Sequence, residues 1–164
     1  MITIRAATEA DVAQILAFIR ELAEYERLAH AVVATEADLR RSLFGGERCA
    51  HVLLAARDSA PVGFAVYFYN FSTFVGRPGL YLEDLYVRPA ARGLGVGRKL
   101  LLHLARIAVE RGCGRMEWAV LDWNEPAIRF YRKLGAVPND DWTTYRLSAE
   151  ALGKLAAGAD TAAD

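Results

Sequence analysis

The chain has 164 residues, enough for one domain that buries about 70% of the surface its unfolded form would expose, and it balances 20 Lys and Arg against 20 Asp and Glu. That neutrality leaves no electrostatic footprint for a nucleic-acid polymer or an anionic membrane, and no apolar run approaches the ~18 residues of a membrane-spanning helix. Met1-Ile2-Thr3-Ile4-Arg5 has no signal-peptide pattern, and Cys49, Cys113 and three scattered histidines have no metal-ligand spacing, so a reduced, cytoplasmic, metal-free protein is expected.

Ile2 to Arg5 reads as a short strand. Thr8-x-x-Asp11 is a capping-box pattern, after which Val12, Ile15, Leu16, Ile19 and Leu22 repeat on one helical face. A second box, Thr35-x-x-Asp38, opens a shorter helix that Gly45-Gly46 ends. His51 to Arg57 and Val62 to Tyr69 form a hairpin around Asp58-Ser59-Ala60-Pro61. Leu80 to Val87 is the next strand, stopped by Pro89.

A helix from Gly97 to about Arg111 turns Leu100, Leu101, Leu104 and Ile107 inward, and Gly112 ends it. Arg115 to Leu121 is a strand. Asn124 caps a helix with Pro126 in its first turn and Gly135 at its close. Trp142 to Leu147 is a last strand, and the alanine-rich chain from Ala149, residues 151–164 above all, is expected to fray. The order predicts one α/β or α+β domain over residues 1–150, with a mixed sheet of six to seven strands and about four helices. The unit from Leu80 to Leu121 should be a crossover joining parallel strands.

The chemistry concentrates at Tyr81-Leu82-Glu83-Asp84-Leu85-Tyr86-Val87, which runs into Arg92-Gly93-Leu94-Gly95-Val96-Gly97-Arg98. Such a glycine turn at a helix start presents consecutive backbone N–H groups to a diphosphate. A P-loop is disfavoured because Arg98-Lys99 follows a shorter spacing than that motif needs. The dinucleotide fingerprint is disfavoured because the turn lies mid-chain, after a hairpin. An acyl-CoA loop of the form Arg-x-x-Gly-x-Gly fits Arg92, Gly95 and Gly97, and a turn without ligand stays open beside it. The two adjacent acids sit where a strand should be buried, and strand alternation would send them to opposite faces.

Four stretches in order carry a family resemblance: Arg20 to Glu26, Tyr81 to Val87, Arg92 to Gly97, and Ala119-Val120-Leu121-Asp122-Trp123-Asn124-Glu125-Pro126 with Tyr131 and Leu134-Gly135-Ala136. The chain resembles the Gcn5-related N-acetyltransferases (GNAT), and within them the diamine (spermidine/spermine) and thialysine group. The resemblance implies acetyl transfer from acetyl-CoA to a primary amine by direct attack, without a metal. It implies Tyr131 as the acid that protonates the departing sulfur and Glu83 as the group that assists loss of the amine proton. It implies cofactor contacts from Leu85, Tyr86, Val87, Arg92, the loop residues Gly93 to Arg98, Asn124, Pro126 and Tyr131. Acceptor contacts fall to Tyr25, Glu26, Glu83, Asp84, Trp118 and Asp140.

Each of these has a plainer reading. Glu83 or Asp84 could pair with an arginine, Tyr131 could be a core aromatic beside Phe130, and Trp118 could simply pack. Polyamine-type members carry Asp-Pro-Trp before the catalytic strand, whereas this chain has Ser72-Thr73-Phe74. One acid fewer favours a lysine-like amino acid over a long multi-cation. A protein lysine or N-terminal acceptor, or a non-catalytic acyl-CoA-binding module, is the alternative. The resemblance also implies a homodimer.

Overall fold

Period-2 patterning in the strands and a 3.6-residue period in the helices set the layers of the structure, a computed structural model that describes residues 1–158. Two compact units divide the chain, Met1–Leu121 and the part from Asp122 onward. The first unit holds a five-stranded sheet in the order β1-β2-β3-β4-β5. Its strands are β1 (Ile2–Ala6), β2 (His51–Arg57), β3 (Ala60–Ser72), β4 (Arg77–Val87) and β5 (Met116–Trp118). The first four are antiparallel neighbours, and β5 runs parallel to β4, as a crossover requires.

Helices α1 (Val12–Tyr25) and α2 (Glu36–Phe44) cover one face of this sheet. Ile15, Phe18 and Leu22 of α1 and Leu43 of α2 pack on Val52, Leu54, Phe64, Val66 and Tyr86. The Phe18 and Phe64 rings stack at 5.3 Å. Each such buried side chain contributes about 1.5–3 kcal/mol of transfer free energy. Both capping boxes form: the Asp11 carboxylate accepts from Thr8 N–H at 2.7 Å, and Asp38 from Thr35 N–H at 3.0 Å. The first of them opens a 3-10 turn, Glu9–Asp11, that leads into α1.

Helix α3 (Val96–Glu110) buries Val96, Leu100, Leu101, Leu104 and Ala108 against the sheet. The β2–β3 loop is two residues long, Asp58 and Ser59, both with positive φ (50° and 71°). That is the backbone of a type I′ turn, whose twist suits a hairpin.

The second unit contains α4 (Glu125–Lys133) and α5 (Ala149–Ala156). Gly135, at φ 90°, follows α4 where a helix-ending glycine was expected. Among the described residues the sheet therefore has five strands rather than six or seven, and there are five α-helices rather than about four. Trp142 to Leu147 form no strand: β-prone residues make one only beside a hydrogen-bonding partner, and this stretch has none among the described residues. The alanine-rich segment begins as α5, where the Ser148 hydroxyl accepts from Ala151 N–H at 3.2 Å and caps the helix. Residues 159–164 lie outside the described residues. No helix among the described residues is long and apolar enough to cross a membrane.

Candidate active site

In β4 the pairing register slips by one residue. Val66 of β3 faces Asp84, but the next residue, Tyr67, faces Leu82, so Glu83 is the extra residue of a β-bulge. Paired residues share a face, so Leu82 lies with Tyr67 on the α3 side while Asp84 lies with Val66 and Tyr86 on the α1 side. Unbroken alternation would have put Leu82 and Asp84 on the same face. Glu83 itself has no partner across the ladder, so the strict alternation behind the expectation of opposite faces for Glu83 and Asp84 does not run through the bulge.

The pairing of β4 with β5 ends at the same place. Leu80, Leu82 and the residue between them pair with Met116 to Trp118, and Leu82 opposite Trp118 is the last pair. From Glu83 to Val87 the edge of β4 on that side has no strand beside it among the described residues. The Val87 carbonyl on that edge accepts from Arg92 Nε–H at 3.0 Å, and the rest of the edge, with no strand to pair with, suits a ligand with amides of its own.

Three acids meet at the bulge. Glu83 is exposed and Asp84 half-buried. Burial, then the charges of Glu83 and Glu26, push the Asp84 carboxyl up to about 6. Glu26, the C-cap just after α1, is itself raised by burial. Glu26 is placed by a tight helix end: Arg27 adopts φ 61° and Leu28 N–H returns to the Ala23 carbonyl at 2.8 Å. The helix is tied to the end of β4 by Arg88, whose guanidinium donates to the Glu21 carboxylate at 2.7 and 3.0 Å and to the Pro61 carbonyl at 2.9 Å. Thus the structure brings Glu26, Glu83 and Asp84 together. Asp84, whose carboxyl is raised to about 6, is a residue the sequence suggested only as an acceptor contact.

The glycine loop follows β4 through a short 3-10 turn, Pro89–Ala91. Gly93 and Gly95 take φ of 77° and 79°, a conformation that disfavours every L side chain, and a Cβ on either would meet open space. Gly95 is the N-cap of α3 and no side chain caps the helix. The first-turn N–H groups at Val96, Gly97 and Arg98 consequently have no partner within the helix. This open cradle, at the positive end of the helix dipole, fits the diphosphate of an acyl-CoA. Leu94 and Arg98 are exposed beside it, while Val96 is buried and anchors the turn.

The remaining candidates belong to the second unit. Asn124 is buried, and its side-chain oxygen accepts from Ala127 N–H at 3.4 Å, with Pro126 in the first turn of α4. Tyr131 lies two turns further along α4, half-buried, its ring 5.5 Å from that of Phe130. Asp140 is exposed in the stretch without regular structure. Among the described residues no group of His, Cys, Asp or Glu is arranged to hold a metal ion.

The model of the acetyltransferase (GNAT) family matches residues 14–136. The chain is 41% identical to the thialysine N-epsilon-acetyltransferase of Bos taurus, with 94% of this chain and 97% of the relative aligned. It is 31% identical to an L-ornithine N5-acetyltransferase of Arabidopsis thaliana, with 91% and 85% aligned. Among solved structures, an integron cassette protein from the mobile metagenome of V. cholerae superposes with a TM-score of 0.79 at 29% identity, covering 94% of this chain and 97% of that one.

Proposed function

Since the chain belongs to the acetyltransferase (GNAT) family and is an N-acetyltransferase for the amine of a small molecule, we propose that its acceptor is a lysine- or ornithine-like amino acid. One observation carries the placement of the reaction: the bulge, the end of β4–β5 pairing and the three-acid cluster coincide at Glu83. Bound acetyl-CoA supplies the thioester acyl group. The N–H groups of residues 93–98 hold its diphosphate, and the β4 edge from Leu85 to Val87, which no strand covers, hydrogen-bonds its pantetheine amides through groups other than the Val87 carbonyl.

An amine reaches the site as an ammonium and can attack only after losing a proton. Asp84, poised at about 6, is a carboxylate at neutral pH yet basic enough to accept that proton, with Glu83 assisting. Glu26, Glu83 and Asp84 concentrate negative charge that draws the ammonium in. Tyr131 donates its phenol proton to the departing sulfur, so that the leaving group does not carry a full negative charge. Asn124 and Pro126 set the start of the helix that carries Tyr131. Trp118 and Tyr25 supply apolar walls, and Asp140 a further acidic contact for the acceptor.

The family match runs across both units, which supports reading residues 1–150 as one N-acetyltransferase domain. A homodimer and a cytoplasmic setting are part of the same proposal. Exposed Trp142, Tyr145 and Leu147 offer apolar surface for a second copy, and the free Cys49 and Cys113 suit a reducing compartment. Light scattering of the purified chain should give twice the monomer mass.

The deciding experiment is acetylation of thialysine, lysine, ornithine, putrescine, spermidine and a lysine-containing peptide, followed by release of free thiol from acetyl-CoA. Turnover of the amino acids ahead of the polyamines is expected. Turnover of the peptide alone would replace this reading with protein acetylation, and binding of coenzyme A without any turnover would leave an acyl-CoA-binding module.

A further inference from the structure

Arg92 precedes the first glycine of the cradle, where a guanidinium would be expected to reach for phosphate. Its side chain is committed elsewhere. The Nε–H donates to the Val87 carbonyl at 3.0 Å, and the guanidinium carbon lies 4.7 Å from the ring centre of Tyr25 and 5.9 Å from that of Tyr86. Tyr25 is the last residue of α1, and its neighbour Glu26 is one of the two carboxylates acting on Asp84. A single side chain therefore spans from the cofactor loop to the helix end that shapes the acid cluster.

This arrangement depends on the shape of the guanidinium as well as its charge. A planar cation covers an aromatic face while its Nε–H bonds in plane to a carbonyl. The backbone of Arg92 adjoins Gly93, whose left-handed φ belongs to the loop, so whatever steadies the loop steadies this side chain. The turn it touches is held by backbone geometry that is costly for a non-glycine residue, Arg27 at φ 61°. Arg27 and Leu28 are exposed, and a turn with few buried contacts is the kind of segment that opens at low cost.

We propose that Arg92 is a positioning residue that carries occupancy of the glycine loop to the acceptor end of the site: coenzyme A bound at residues 93–98 orders the Tyr25–Glu26 turn and so prepares it for the amine. The proposal rests on the functional reading above. It makes cofactor and acceptor binding mutually reinforcing, because a coupling between two sites acts equally in both directions.

Hydrogen exchange with coenzyme A as the probe tests it without knowledge of the acceptor. In the unaltered protein, coenzyme A should slow exchange at residues 93–98 and also at residues 22–28. Arg92→Lys, which keeps the charge but loses the planar fork, should retain slowing at 93–98 and lose it at 22–28. Tyr25→Leu should do the same from the other side. In steady-state kinetics at saturating acetyl-CoA, Arg92→Lys should raise the KM for the amine roughly fivefold or more, the lower end of ordinary couplings, and change it more than it changes kcat.

If coenzyme A slows exchange at 93–98 of the unaltered protein but leaves 22–28 untouched, this proposal is wrong and the functional reading stands. If Arg92→Lys weakens coenzyme A tenfold while 22–28 still responds, Arg92 is a simple phosphate ligand and the proposal is again wrong. No binding of coenzyme A at all would remove the functional reading and this inference together.

Discussion

At Asp84, burial and two neighbouring carboxylates act in one direction, lifting its carboxyl to about 6. A base must be deprotonated to work, so kcat/KM should rise with pH through about 6 and level off above it. Asp84→Asn should remove that ascending limb and lower kcat/KM by ~10² or more. The stability of the same variant carries a second signature. The folded carboxyl binds its proton more tightly than the unfolded one, so the native state is favoured at low pH and loses that advantage between about 4 and 6 as pH rises. Asp84→Asn should therefore be more stable than the parent at pH 8, by up to ~3 kcal/mol, and little different at pH 4, as thermal unfolding at the two pH values will read. Tyr131→Phe should lower kcat by ~10² with coenzyme A affinity unchanged, and calorimetry beside initial rates separates the two. Unchanged kcat would return Tyr131 to the plain role of packing beside Phe130.

Among the elements, the glycine turn and the hairpin turn give opposite tests of the same backbone rule. Gly95 needs its left-handed φ to start α3 with open N–H groups. Valine there would meet no neighbour through its Cβ but would carry the ~1–2 kcal/mol cost of that conformation. Saturating acetyl-CoA at ~100 times its Kd should stabilise the parent by ~2.7 kcal/mol, seen as a rise in Tm of several degrees. Gly95→Val should lose most of that rise. Ser59 sits in the same region of backbone space at φ 71° without a glycine's freedom. Ser59→Gly should raise the denaturant midpoint, by about 0.5–1 kcal/mol in stability, since type I′ turns favour glycine at the second position. It lies in the β2–β3 turn, outside every contact proposed for catalysis, so its kcat/KM should be that of the parent.

On the scale of the whole chain, what was readable came from local patterns. The capping boxes at Thr8 and Thr35, the α3 stripe of Leu100, Leu101 and Leu104, and the Asn124-to-Gly135 helix all follow from side chains a few residues apart. The family motifs at Glu83, Arg92 to Gly97 and Asn124 to Tyr131 are likewise contiguous stretches. Trp142 to Leu147 marks the boundary of that approach: strand propensity names residues that suit a ladder but cannot supply the neighbouring strand. The same holds within β4. Nothing in Leu82-Glu83-Asp84 announces a bulge, because an extra residue exists only relative to the register of β3.

The amino-acid order alone thus determined the class of chemistry, the glycine turn that opens α3 and the helix that Asn124 caps, since these rest on motifs, backbone conformations and spacings that lie close together along the chain. Tertiary structure decided which acid is tuned and what touches Arg92. Glu26 and Asp84 lie in distant parts of the chain, as do Tyr25 and Arg92, and only the packing of α1 on β4 brings their charges and rings within reach of each other. Burial and Coulomb interactions depend on distance in space, which no local pattern encodes.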